Sequence, residues 1–89
     1  MYEIFLTSKS AKELGSLIKE DAKEVLKKIK QLRFPLPIYL NIKKLTGEKD
    51  FYRLRVEKMR VIFQINHHAK EILIRKIGYR RDVYRNLHP

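Results

Sequence analysis

The sequence predicts an α+β fold: an N-terminal strand, a helical hairpin and then an antiparallel β-sheet, in the order β-α-α-β-β-β, closed by a short C-terminal helix or tail. Three observations carry that prediction. Apolar residues recur three and four apart between Leu14 and Leu32, which is helical spacing. From Tyr52 to Ile65 they alternate instead with polar residues, as in a half-buried strand. Between the two regimes stands Phe34-Pro35-Leu36-Pro37, and neither proline fits inside a helix. At 89 residues the chain is expected to form one domain, residues 1–89, because it is too short for two.

Each element has its own signal. Tyr2 to Leu6 reads as the first strand, with Tyr2, Ile4 and Leu6 alternating against Glu3 and Phe5. Thr7, Ser8 and Ser10 are candidate N-caps for a helix starting near Lys9. Its stripe runs through Leu14, Leu17 and Ile18, then Ala22, Val25, Leu26, Ile29 and Leu32. A single helix of that length could not fold back within so small a domain, so a break is expected near Lys19–Asp21. Beyond the prolines, Tyr52, Leu54 and Val56 alternate with Arg53 and Arg55. Val61, Phe63 and Ile65 alternate with Arg60, Ile62 and Gln64, and Glu57-Lys58-Met59 links the two strands as a hairpin. After a turn at Asn66-His67-His68-Ala69, Lys70 to Gly78 gives a further strand. Ile72-Leu73-Ile74 is apolar on both faces, which suits a central position in the sheet. Tyr79 to Leu87 is then expected as a short terminal helix.

Composition narrows the function classes. A hydrophobic content of 44%, with five Tyr and four Phe, is enough for a small core and excludes disorder. With no Cys there is no disulfide framework, no Cys-based zinc site and no thiol nucleophile. The apolar runs are too short to span a membrane, and Met1-Tyr2-Glu3-Ile4 lacks the layout of a signal peptide. The expectation is a soluble, cytoplasmic domain. Lys+Arg is 21 against Asp+Glu at 10, and a compact domain with a net charge of +11 calls for a polyanionic partner. The excess is concentrated: residues 1–42 hold eight basic and five acidic side chains, residues 43–89 thirteen and five. Seven of the eight arginines lie between Arg53 and Arg85, and guanidinium matches phosphate geometry better than a lysine point charge does.

Parity then groups the arginines. Directly opposed residues of an antiparallel pair point to the same side of the sheet. If Leu54, Val56, Val61 and Phe63 all face the core, then Arg53, Arg55 and Arg60 share the opposite, solvent face. A two-residue loop at Glu57-Lys58 would set Arg55 directly across from Arg60. Like charges so opposed are destabilising, and no acidic residue alternates between them. The outer face of a half-buried sheet can simply be polar. The alternative is a phosphate clamp, with Lys43, Lys44, Lys49 and Lys58 attracting the anion. Arginine and aromatic planes beside a basic groove suit single-stranded RNA. Both candidate helices are needed for the core, so neither is free to read duplex DNA.

Several segments, in order and with their spacing, resemble the RelE/ParE toxin superfamily over nearly the whole chain. They are Lys43-Lys44-Leu45-Thr46-Gly47, Phe51-Tyr52-Arg53-Leu54-Arg55-Val56, Arg60-Val61-Ile62-Phe63-Gln64-Ile65 and Ile77-Gly78-Tyr79-Arg80-Arg81-Asp82-Val83-Tyr84-Arg85. The resemblance implies the toxin of a prokaryotic type II toxin–antitoxin pair. Its RelE branch cleaves mRNA in the ribosomal A site without a metal or cofactor and is silenced by a cognate antitoxin. Partners so implied are the antitoxin, mRNA and ribosomal RNA, with DNA met only through the antitoxin complex and no membrane. The ParE branch poisons DNA gyrase instead.

Carried over residue by residue, the RelE pattern assigns Arg60 and Arg80 to holding and stabilising the phosphate, and Arg53 to the RNA backbone. Tyr84 would stack on or orient a nucleotide, and Arg55 occupies the place of a lysine proposed for acid–base work. Lys43, Lys44 and Arg81 complete the RNA-binding set. The catalytic set is then Arg55, Arg60, Arg80 and Tyr84. Two departures matter. Arginine stays protonated near neutral pH, which makes Arg55 a poor general base, and Thr46 stands before Gly47 where the family often has a basic residue. His88 is the only candidate for the C-terminal histidine of related RNases, but one residue from the end of the sequence it is left out of the catalytic set, and His67 and His68 read as turn residues with no metal site. Two other readings stay open: a ParE-like gyrase poison, and a non-catalytic RNA-binding module.

Overall fold

The computed structural model describes residues 1–47 and 49–85. Strand β1 (Glu3–Leu6) leads into helices α1 (Ser8–Gly15) and α2 (Lys19–Ile29). Strands β2 (Ile42–Lys44), β3 (Phe51–Val56), β4 (Met59–Asn66) and β5 (Glu71–Tyr79) follow, then helix α3 (Arg80–Arg85). The strands form one sheet in the order β1-β5-β4-β3-β2. The expected α+β order is therefore present, with one addition and two refinements.

The addition is β2, a three-residue edge strand antiparallel to β3, too short to leave an alternation in the sequence. The first refinement is that β1 pairs with β5 in parallel, while β3, β4 and β5 are antiparallel. The second is the break between the helices, which falls at Ser16–Ile18 rather than Lys19–Asp21. Thr7 caps α1, its hydroxyl accepting from the Ser10 backbone N–H at 3.1 Å. The Ser16 backbone N–H closes the last turn on Lys12 and Glu13 carbonyls, so Leu17 can drop into the core before α2 starts.

One face of the sheet is the main core. Leu54, Val56, Val61, Phe63, Ile65, Ile72, Ile74 and Ile77 meet Leu17, Val25, Ile29 and Leu32 from the helical side. Tyr52 stacks on Phe63 with ring centroids 5.4 Å apart. Each fully buried aliphatic or aromatic side chain contributes about 1.5–3 kcal/mol, which compensates for a surface of unbalanced positive charge.

A bulge in the β4–β5 pairing decides what faces outward. Ile62 pairs with Lys76 while Phe63 pairs with Ile74, so Arg75 is the extra residue. Plain alternation from Ile72 and Ile74 would send Lys76 into the core and Ile77 out. The extra residue reverses that, burying Ile77 in the core cluster and turning Lys76 to the other face with Ile62. Past the end of β1, the Glu13 side chain of α1 accepts a hydrogen bond from the exposed edge of β5, at Ile77 N (2.9 Å).

Helix α3 lies against β5 and β4 at the end of the sheet that carries the β3–β4 turn. Val83 is fully buried, and its Cγ2 stands 3.0 Å from where a Cβ on Gly78 would sit. A Cβ there would require the Val83 side chain to give by a few tenths of an ångström.

Candidate functional site

The site is built from register. Arg55 pairs with Arg60, and Val56 with Met59, leaving the two-residue turn Glu57-Lys58, one of the registers that parity allows. Arg60 in turn pairs with Gly78 of β5. The next row holds Lys43, Arg53, Ile62 and Lys76. Five basic residues of four strands therefore share the face opposite the main core, and Arg80 starts α3 two residues beyond Gly78. Lys44 is excluded from this face: it pairs with Tyr52, whose ring lies on the core side against Phe63.

Arg60 corrects the expectation of a solvent-facing clamp. It is only 5% exposed. Its Nη1 donates to the carbonyls of Glu57 and Met59, each at 2.8 Å. Two physical causes act together. Glu57 adopts a left-handed backbone (φ 55°) that favours glycine, and a charge-assisted donor on its carbonyl stabilises that turn. Arg55 opposes Arg60 directly, so spreading the Arg60 charge onto two carbonyls relieves the repulsion. Arg55 and Arg80 are exposed, Arg53 is half-buried, and Arg81 is exposed on α3. Tyr84 falls in α3, but the expectation for its side chain lies outside what the structure describes, and His88 lies outside the described residues.

A network from the helical side fixes this end of the sheet. The Tyr79 hydroxyl donates to Asp21 Oδ2 (2.9 Å) and accepts from Ile18 N (3.2 Å). Lys58 Nζ lies 3.7 Å from Asp21 Oδ2 and 5.7 Å from the Tyr79 ring centroid. The Arg80 backbone N–H donates to the Lys58 carbonyl at 2.9 Å. The β3–β4 turn, the α1–α2 joint and the start of α3 are therefore tied together, and the arginines are carried on a braced frame. Beside Arg55 opens a recess of about 650 Å³, lined also by Asp21, Asn41, Glu57 and Lys58. Sequence reasoning missed Tyr79 and Asp21, because residues 58 positions apart meet only through the tertiary fold.

Lys76 was missed for a different reason, the bulge. It is buried to 9% exposure with Glu13 Oε2 4.0 Å away. Burial first, then the nearby Lys9 charge, holds its ammonium below the ordinary value of 10.5, while Glu13 acts in the opposite sense. Below the folded-state pKa the buried charge costs stability. Between that pKa and 10.5 the unfolded chain binds more protons, so the cost is relieved as pH rises. Lys76→Met is expected to raise stability at pH 7 by about 1 kcal/mol, with the gain fading as pH approaches 10.5. Urea denaturation at a series of pH values checks this. A gain that grows with pH would contradict it.

The remaining singled-out residues lie elsewhere. His67 Nδ1 is 2.9 Å from the Tyr2 hydroxyl, its Nε2 3.8 Å from Asp50, and its ring packs on Phe34 at 4.7 Å. That cluster sits at the opposite end of the sheet from the β3–β4 turn and braces the β4–β5 turn. Among the described residues no group of three His, Cys, Asp or Glu side chains comes together to hold a metal. Nor is any described helix long and apolar enough to cross a membrane.

Comparison with known proteins points one way. The family described as the ParE toxin of type II toxin-antitoxin system, parDE, matches residues 4–84. The archaeal RelE-RelB complex from Pyrococcus horikoshii OT3 contains a chain 31% identical, with 89% of this chain and 94% of that one covered at a TM-score of 0.74. The RelB-RelE antitoxin-toxin complex from Methanococcus jannaschii gives a TM-score of 0.79 at 22% identity, covering 94% of this chain and 99% of that one. The intact E. coli RelBE toxin-antitoxin complex gives 0.73 at 20% identity, covering 89% and 96%. No curated protein sequence matches the chain.

Proposed function

Because the chain belongs to the ParE toxin family, within the RelE/ParE superfamily of type II toxin–antitoxin toxins, we propose that it acts as a RelE-like, ribosome-dependent mRNA endoribonuclease. The observation that carries the reading is the register that gathers Lys43, Arg53, Arg55, Arg60 and Lys76 on one face, with Arg80 beside them. Cleavage of this kind needs an RNA 2′-oxygen in line with the scissile phosphorus. The O2′–P bond forms, the P–O5′ bond breaks, and the proton of the 2′-hydroxyl leaves as the 5′-oxygen gains one. Charge accumulates on the phosphorane, and exposed guanidiniums placed around it supply the stabilisation. Arg55 contributes charge rather than proton abstraction, because arginine stays protonated. In this reading Arg60 acts by holding the turn that presents Arg55 and Lys58. No metal is assigned a step.

A cognate antitoxin is the second expected partner, since the similar archaeal and E. coli proteins occur in RelB complexes. An acidic or amphipathic segment lying over the basic face would silence it. The ParE-like alternative, gyrase poisoning, is favoured by one finding: the matching family is described as ParE.

Programmed ribosomes separate the readings. Cleaved mRNA within the A-site codon is the expected result, stalled gyrase–DNA complexes would favour ParE-like action, and bound but intact RNA would leave a binding module. Association with single-stranded RNA is expected to weaken steeply with salt. Each phosphate neutralised contributes about −0.7 to the logarithmic slope, so a slope of about −2 or steeper is expected. A flat titration by fluorescence anisotropy would remove the clamp.

A further inference from the structure

The basic face continues past its arginines into a different chemistry. Phe5 pairs with Leu73, Leu73 with Gln64, and Gln64 with Phe51, which draws one row across β1, β5, β4 and β3. This row lies on the side of the sheet away from the main core, and none of its three apolar residues belongs to the core cluster. Phe5 is 41% exposed. Along β3, Phe51, Arg53 and Arg55 point to the same side at intervals of roughly 6.7 Å, so a ring and two guanidiniums stand in line. Next to the row is a recess of about 480 Å³ whose lining includes Lys49, Asp50, Gln64, Asn66, His68 and Leu73.

We propose that Phe51 and this recess form a subsite for a flanking nucleobase of the same single RNA strand whose phosphates meet Arg53 and Arg55. The inference rests on the reading of the chain as an RNA-acting toxin and adds the place where a neighbouring base is held. Stacking on a phenyl ring tolerates any base, because every base has a π-face. Leu73 supplies an apolar wall. The Gln64 amide can both donate and accept at a base edge. The Asn66 oxygen already accepts from Ala69 N at 3.0 Å, leaving its amide N–H groups as donors. Charge selects RNA over an apolar protein segment as the occupant. At the recess itself Lys49 is offset by Asp50, so the selecting charge comes from the neighbouring row toward the turn, which holds Lys43, Arg53 and Lys76. The row on the other side, Glu3, Glu71 and Asn66, sets the far limit of the track.

The test uses the full chain and a short fluorescein-labelled oligoadenylate. Phe51→Leu keeps apolar bulk and removes the ring, and Gln64→Ala removes the amide. Each is expected to weaken binding about tenfold without changing the salt slope, since neither carries charge. Arg55→Ala should lower the slope itself. Photocrosslinking of 5-iodouridine RNA followed by peptide mass spectrometry is expected to mark residues 49–51 or 64–73. If binding depends on Arg55 while Phe51→Leu and Gln64→Ala both bind like the parent, the subsite is overturned and the clamp stands. If the parent binds no RNA, both readings fall together. Variants that leave RNA binding intact but weaken antitoxin capture would make the row a protein-docking surface and overturn the proposal. Should Phe51→Leu fail to fold, Gln64→Ala and the crosslink carry the decision.

Discussion

Arg80→Ala is expected to cut mRNA cleavage on programmed ribosomes by about 100-fold or more, with Tm within about 2 °C of the parent. The size follows from removing one preorganised charge from a developing phosphorane, where a single donor is worth about 10²–10³ in rate. The small Tm shift follows from structure: Arg80 is exposed, and the hydrogen bond that fixes its position comes from its backbone N–H to Lys58 O, which alanine retains. Arg80→Lys should recover part of the rate, because it restores charge without the planar fork. Single-turnover cleavage alongside thermal denaturation measures both quantities. Full activity in Arg80→Ala would place the phosphate site elsewhere.

Arg60→Ala is expected to behave in the opposite way, losing about 3 kcal/mol of stability by urea denaturation. The variant strands two turn carbonyls, Glu57 O and Met59 O, that each accept at 2.8 Å from a buried guanidinium. Charge-assisted bonds of this sort contribute about 1.5–3 kcal/mol apiece, and the emptied volume adds to the loss. Glu57 would then hold its left-handed conformation without that support. Introducing glycine at position 57 in the Arg60→Ala background should restore part of the stability, because glycine accepts φ 55° at little cost. An Arg60→Ala variant as stable as the parent would show the two hydrogen bonds to be dispensable, and the residue would return to the role of direct phosphate ligand.

The two arginines mark how far the sequence could be read. Alternation of Leu54, Val56, Val61 and Phe63 was sufficient to put Arg53, Arg55 and Arg60 on one face, and a two-residue turn at Glu57-Lys58 then sets Arg55 across from Arg60. It could not say where the Arg60 head group goes. That depends on the carbonyls of a turn and on the repulsion of a facing charge, neither of which has a sequence period. Lys76 was illegible because one extra residue, Arg75, inverts the parity of the last part of β5. The helical stripe from Leu14 to Leu32 gave both helices but not their joint, which is set by Leu17 entering the core. The resemblance to the superfamily supplied roles for Arg55, Arg80 and Tyr84. Register set Lys43, already in the RNA-binding set, on the basic face, added Lys76 and removed Lys44.

The parallel pairing of β1 with β5 has a consequence for synthesis. Strand β1 is made well before β5 and must wait for it, because β5 sits between β1 and β4. Closing that loop spans most of the chain and comes late in folding. Gly78 and Arg80 enter with the same final segment. Under the ribosome-directed activity proposed above, a nascent chain is unarmed until β5 and α3 have been made, which spares the machine that is producing it.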